Sequence, residues 1–212
     1  GTGGDNFTIN VSGIDTINGN SGNDDITLDT VGLITTLNGN GGTDSLAITN
    51  GNSTWSVTDS VNNNGDVFVT GTPASTTAFN SVETLIGSSV GIDSIDLTSF
   101  GAAIIQLINY QNFDSIIGNA LGTLQGIDGQ QNDWTITSGD VGSVLTSGIT
   151  TLFIGFSNLL GGTGIDNFVI NNGGSISGLI DGGNGVGVNT LTSNNNSANT
   201  WLLTFILLTA LL

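Results

Sequence analysis

The chain has 212 residues, 17 of them acidic, with no Lys, Arg, His, Cys or Met, and a formal charge of -17. No side-chain salt bridge can form, and the cationic contacts by which proteins hold nucleic-acid phosphates or anionic lipids are excluded. Catalysis through His, Cys or Lys is excluded as well, leaving carboxylates, hydroxyls and backbone amides. Hydrophobic residues make up 37%, enough to bury a core, so this is not a disordered acidic tail.

The run Gly1-Thr-Gly-Gly-Asp5-Asn-Phe-Thr-Ile returns as Gly19-Asn-Ser-Gly-Asn-Asp24-Asp-Ile-Thr and as Gly39-Asn-Gly-Gly-Thr-Asp44-Ser-Leu-Ala, so that Asp5, Asp24 and Asp44 are almost evenly spaced. Each turn is followed by alternation: Phe7, Ile9 and Val11, then Ile26 and Leu28, then Leu46 and Ile48. Alternating apolar residues bounded by Gly and Asn mark a strand with one face buried. A second apolar element precedes each turn, in Ile14 to Ile17 and Leu33 to Leu37. The unit is thus strand, turn, strand, turn in about 20 residues, too small to bury its own face, so it must stack on copies of itself.

Further along, Trp55-Ser-Val-Thr, Trp134-Thr-Ile-Thr and Trp201-Leu-Leu-Thr share a pattern, as do the runs opening at Phe79, Phe113 and Phe156. Gly91-Ile-Asp93-Ser-Ile is a degraded Gly/Asp turn, Gly161-Gly-Thr-Gly-Ile-Asp166-Asn-Phe-Val a clean one. Gly118-Asn-Ala-Leu has lost its Asp, and the turn from Gly182 carries Asn189 in its place. The Trp residues, set in alternating strands, are expected in the core and not as sugar-stacking platforms. The run from Trp201 to Leu212 is apolar but about a dozen residues long, short of the roughly 20 a spanning helix needs, so it is expected to be a buried strand or a joint between chains. No basic and apolar leader opens the chain at Gly1.

The run from Gly161 to Val169 resembles the RTX calcium-binding nonapeptide, and the mixture of such turns with the Phe-x-x-Val-Glu-x-Leu-x-Gly element resembles repeat regions of large secreted bacterial adhesins and matrix proteins. The resemblance implies secretion, a β-roll or β-helix, and calcium ligation by Asp5, Asp24, Asp44 and Asp166. The chain departs from the RTX pattern in carrying one motif per strand-turn-strand-turn unit, where RTX rolls carry two per coil. Asp and Asn also cap tight turns without metal, which is the competing role for the same four residues and for Asp93 and Asp181. Asn residues can stack as amide ladders or supply left-handed turn conformations. Asn6, Asn10, Asn52 and Asn195 open glycosylation sequons, which chance alone produces in so Asn- and Thr-rich a chain.

Taken together, the sequence predicts an all-β, parallel β-solenoid with coils of about 20 residues, continuous from 1 to 212, with sub-repeats near 1–87, 88–160 and 161–212. The expected function is structural and non-enzymatic: a segment of an extracellular or cell-surface fibre, biofilm matrix or adhesin that joins head to tail with its own copies, with calcium and glycans as further partners and no membrane span. A calcium-dependent glycan- or ice-binding module and an Asp-based glycosidase are the rival readings. Asp24 and Asp25 make a poor catalytic pair because neighbours in a strand face opposite ways.

Overall fold

The computed structural model describes residues 3–10, 12–29, 31, 33–59, 64–68, 76–185 and 187–195. Val11, Trp201 and the apolar run to Leu212 lie outside the described residues. Within them the fold is all-β, with two single-turn 3-10 segments, Thr98–Phe100 and Leu107–Asn109, and no α-helix. Frequent Gly, Asn, Ser and Thr leave no stretch able to hold a helical stripe.

Three sheets form. The first stacks Asn6–Ile9, Asp25–Leu28, Ser45–Ile48, Thr84–Ile86 and Tyr110–Gln111, all in parallel. The third stacks Ile104–Gln106, Thr123–Gln125, Asn158–Leu160 and Ile180–Asp181, also in parallel. The second has twelve strands and runs the length of the described chain, from Ile14–Asn18 to Thr190–Ser193. In the first coils Asn6 pairs with Asp25 and Asp25 with Ser45, so the sequence spacing of Asp5, Asp24 and Asp44 is the strand-to-strand register.

The twelve-stranded sheet is mixed, which corrects the expectation of uniformly parallel pairing. Thr54–Asp59, Asn64–Phe68 and Thr76–Asn80 form one antiparallel meander, and Asn132–Ser138, Val141–Thr146 and Ile149–Ile154 form another. An up-down-up meander ends in the direction in which it began, so parallel pairing resumes on both sides: Thr76–Asn80 with Ile34–Asn38, and Thr54–Asp59 with Ser94–Asp96. The chain between parallel-paired strands is accordingly longer where a meander intervenes. Ser45 pairs with Thr84 and Thr54 with Ser94, about twice the sequence separation at which Asp25 pairs with Ser45. In the second meander the reversal at Ser147-Gly148, both with positive φ (50° and 83°), is a two-residue hairpin turn.

The two meanders are copies of each other. In each the middle strand carries a glycine opposite a ring: a methyl group on Gly65 would stand 2.7 Å from the Phe79 ring, and one on Gly142 2.7 Å from the Phe153 ring. Thr77 Oγ1 and Thr151 Oγ1 hold equivalent places, donating to the Ile34 and Phe113 carbonyls at 2.8 and 3.0 Å. The ring that answers Phe79 is therefore Phe153, not Phe156 as the sequence pattern suggests. Residues 82, 113 and 156 are the true equivalents, each following a residue with positive φ: Ser81, Asn112 and Gly155.

The core is a cluster of buried apolar residues drawn from all three sheets. Trp55 and Trp134 are fully buried, as their strand alternation predicts. Trp55 packs against Phe79 and Phe113 at ring-centroid distances of 5.9 and 5.5 Å, and Trp134 against Phe153 and Phe168 at 5.9 and 5.5 Å. Such pairs add about 0.5–1.5 kcal/mol each beyond their area. No helix among the described residues is long and apolar enough to cross a membrane.

Candidate functional site: the glycine and aspartate corners

The turns singled out by the sequence sit at corners between sheets, immediately before a strand. Asp5 precedes Asn6–Ile9, Asp24 precedes Asp25–Leu28 and Asp44 precedes Ser45–Ile48, so parallel stacking of those strands sets the aspartates above one another. A backbone N–H at the start of a strand has no partner within its own turn. The side chain one coil further on supplies one: the N–H of Asp5 donates to Asp24 Oδ1 at 2.7 Å, that of Asp24 to Asp44 Oδ1 at 2.8 Å, and that of Asp44 to Glu83 Oε2 at 2.7 Å.

Two more ladders repeat the device. The Ser53 N–H donates to Asp93 Oδ1 at 2.6 Å, the Ser53 hydroxyl donates to the same oxygen, and the Asp93 N–H donates to Asp114 Oδ2 at 2.7 Å. The Trp55 indole N–H donates to Ser53 Oγ at 2.6 Å, tying the core to this ladder. In the third, Asn132 Nδ2 donates to Asp166 Oδ1 at 2.7 Å, and the Asp166 N–H donates to Asn189 Oδ1 at 2.8 Å.

The structure thus places Asp5, Asp24 and Asp44 in one ladder and Asp166 in another. Asp24, Asp44, Asp93 and Asp166 are buried, while Asp5 is half-buried and Asp25, next to Asp24, is exposed. Asp181 is exposed and accepts the Gly183 N–H at 2.8 Å, closing its own turn. Glu83, Ser53, Asp114, Asn132 and Asn189 belong to the ladders, and of these the sequence pattern had marked only Asn189, as a substitute for Asp. The signal that also finds Asn132 is its upstream glycine, Gly126, which stands before it much as Gly182 stands before Asn189.

Those glycines make the burial feasible. A methyl group added to Gly19 would stand 2.2 Å from Asp24 Oδ2, and one on Gly161 2.4 Å from Asp166 Oδ2, so the carboxyl occupies the volume a Cβ would take. Burial in this space pushes Asp44, Asp93 and Asp166 above the ordinary aspartate value of 3.8, while hydrogen bonds from Asp24, Ser53 and Asn132 respectively pull the other way.

Calcium takes six to eight oxygen ligands, several of them carboxylate. At these corners Oδ1 of Asp24, Asp44 and Asp166 is occupied by an N–H donor, leaving one buried oxygen apiece. No group of three or more Asp or Glu among the described residues is gathered to hold a metal ion.

Asparagine takes both of its expected roles. Asn38 Nδ2 donates to Asn18 Oδ1 at 2.8 Å and Asn80 Nδ2 to Asn38 Oδ1 at 3.0 Å, an amide ladder across three coils, while Asn20 and Asn40 adopt left-handed φ of 77° and 74°. Asn52 of the sequons accepts the Ile92 N–H at 3.0 Å.

Fold and corners together define an all-β protein in which successive strands are tied by side-chain ladders at their starts. Comparison of the chain with family models, with curated proteins and with solved structures finds no match.

Proposed function

We propose that the chain is a β-solenoid segment of an extracellular structural protein, a fibre, matrix or adhesin element that carries load and contacts and performs no catalysis. The observation that supports this reading most is the cross-coil ladder. Aspartate, asparagine and aromatic residues bind one coil to the next, through Asp5, Asp24, Asp44 and Glu83, through Asn18, Asn38 and Asn80, and through the edge-on Trp55–Phe113 and stacked Trp134–Phe168 ring contacts. The carboxyls of Asp24, Asp44, Asp93 and Asp166 are buried and so are withheld from any substrate. Among the described residues Ile14–Asn18 ends the second sheet on one side and Thr190–Ser193 on the other, and each offers backbone groups on which a further coil can add, from the same chain or from a second copy.

Negative-stain microscopy of the purified chain tests the architecture and its assembly, and immunogold labelling of producing cells tests the location. Rods that lengthen end to end, with label outside the cell, are the expected result. Isometric particles, or label confined to the cell interior, overturn the reading.

A further inference from the structure

The outer face of the second sheet differs between the two meanders. Around the second, Ile117, Ile154 and Val141 stand opposite one another on three adjoining strands, Ser115–Ile117, Ile149–Ile154 and Val141–Thr146. Leu152 lies two residues from Ile154 on the same face, and Leu145 stands opposite Thr150. Leu145, Leu152 and Ile154 are 40%, 52% and 40% exposed, whereas their strand neighbours Val144, Thr146, Thr151 and Phe153 are buried, so the three side chains point outward. Ile117 and Val141 beside them are half-buried.

The first meander shows that the strand frame does not require this. Gly65 and Phe79 there correspond to Gly142 and Phe153, so the places of Val141, Leu152 and Ile154 are held by Asn64, Ala78 and Asn80. The place of Ile117 is held by Asn38, which pairs with Asn80 as Ile117 pairs with Ile154. Asn80 Nδ2 donates to Asn38 Oδ1 at 3.0 Å. An outer amide ladder thus gives way to a pair of isoleucines on the same backbone. A contiguous exposed apolar patch, unlike single scattered residues, marks a contact site.

Carboxylates bound the patch at opposite corners. Asp96 stands directly opposite Ile117 and Asp133 directly opposite Leu145, on strands separated by four strand spacings, about 19 Å. Their hydrogen-bond donors are neutral: the Thr98 N–H and hydroxyl for Asp96, the Gln131 and Asn167 amides for Asp133. A second copy of the chain, with neither Lys nor Arg, brings only further carboxylates to this rim, and like charges face to face oppose association. We propose that the face docks a different protein, one that presents an apolar centre flanked by Lys or Arg. Its apolar residues cover Leu152, Ile154 and Ile117, and its cations meet Asp96 and Asp133.

The face lies within the second sheet, away from Ile14–Asn18 and Thr190–Ser193, which end it among the described residues. Docking there is separate from the addition of coils proposed above, and each can fail without the other. The apolar centre supplies affinity by removing Leu and Ile surface from water, and the rim supplies orientation and salt dependence.

The test uses the full chain and a labelled synthetic peptide of alternating Val and Thr with Lys at both ends, followed by fluorescence anisotropy at low and high salt. The parent is expected to bind it, more weakly at high salt. Leu152→Ala with Ile154→Asn installs the residues of the first meander without changing the charge and is expected to weaken binding by about tenfold or more. Leu152→Ser alone, at the most exposed of these positions, is the milder change in the same direction. Asp96→Asn with Asp133→Asn is expected to remove most of the salt dependence. No binding to the parent, or equal binding to the parent and the apolar variants, the signature of unspecific charge attraction, overturns the proposal. Unchanged salt dependence in the aspartate variant overturns it as well, because the cations then sit elsewhere. So does a parent dimer in sedimentation that the apolar changes dissociate, since a second copy then covers the face.

Discussion

Asp24 and Asp44 are joined across one coil by a hydrogen bond of 2.8 Å from the backbone N–H of the first to Oδ1 of the second. That bond satisfies a strand-initial N–H that is buried from water. Truncating Asp44 to Ala removes the acceptor and strands the donor, a cost of about 1–3 kcal/mol. Asp44→Asn keeps an acceptor for that N–H, sheds a charge that burial disfavours, and is expected to stay within about 0.5 kcal/mol of the parent at neutral pH, or above it. Urea unfolding of the two variants checks the difference.

Gly39 tests the space beside Asp44. A Cβ there would lie 2.0 Å from the Ser81 carbonyl oxygen and 2.4 Å from Asp44 Oδ2, so either the coil spacing or the carboxyl must shift. Gly39→Ala is expected to destabilise by about 1–3 kcal/mol. Gly41→Ala, with nothing within 4 Å of its Cβ, should change stability by no more than about 0.5 kcal/mol. Equal effects at the two positions would refute the packing argument.

Trp134 is buried between Phe153 and Phe168, its ring stacked on Phe168 at an interplanar angle of 11°. Trp134→Ala should cost about 3–5 kcal/mol, as deletion of a large aromatic from a packed core does. Calorimetry should show the loss. Trp134→Phe keeps an aromatic ring between Phe153 and Phe168 and should recover most of it.

Tyr110 is the one tyrosine of the chain, and burial pushes its phenol up to about 12. The fold favours the neutral form, so its contribution is present below the ordinary value near 10 and lost as pH rises from about 10 to about 12, about 2–3 kcal/mol in all. Ultraviolet titration should show tyrosinate appearing near 12 in the folded chain and near 10 in denaturant. A folded-state midpoint near 10 would contradict the burial.

Some of this was present in the order of residues. The alternation of Ile26 with Leu28 and of Leu46 with Ile48 names the buried face of each strand, because side chains in a strand alternate by covalent geometry alone. The spacing of Asp5, Asp24 and Asp44 along the chain is the register of the first coils. The lack of any cation excluded salt bridges before any contact was known.

What only the tertiary structure decided lies at larger separations. Ser53 meets Asp93 40 residues away, and Asn132 meets Asp166 34 residues away, because a meander intervenes and cancels its own reversal. Local pattern cannot count such an insertion, so Phe79 reads as the equivalent of Phe156 until the strands are paired. Nor does it show that Asp24 and Asp44 accept backbone N–H groups. A carboxylate after a Gly-rich turn suits several partners, and only the pairing of the strands brings the N–H of Asp5 to Asp24 Oδ1 and that of Asp24 to Asp44 Oδ1.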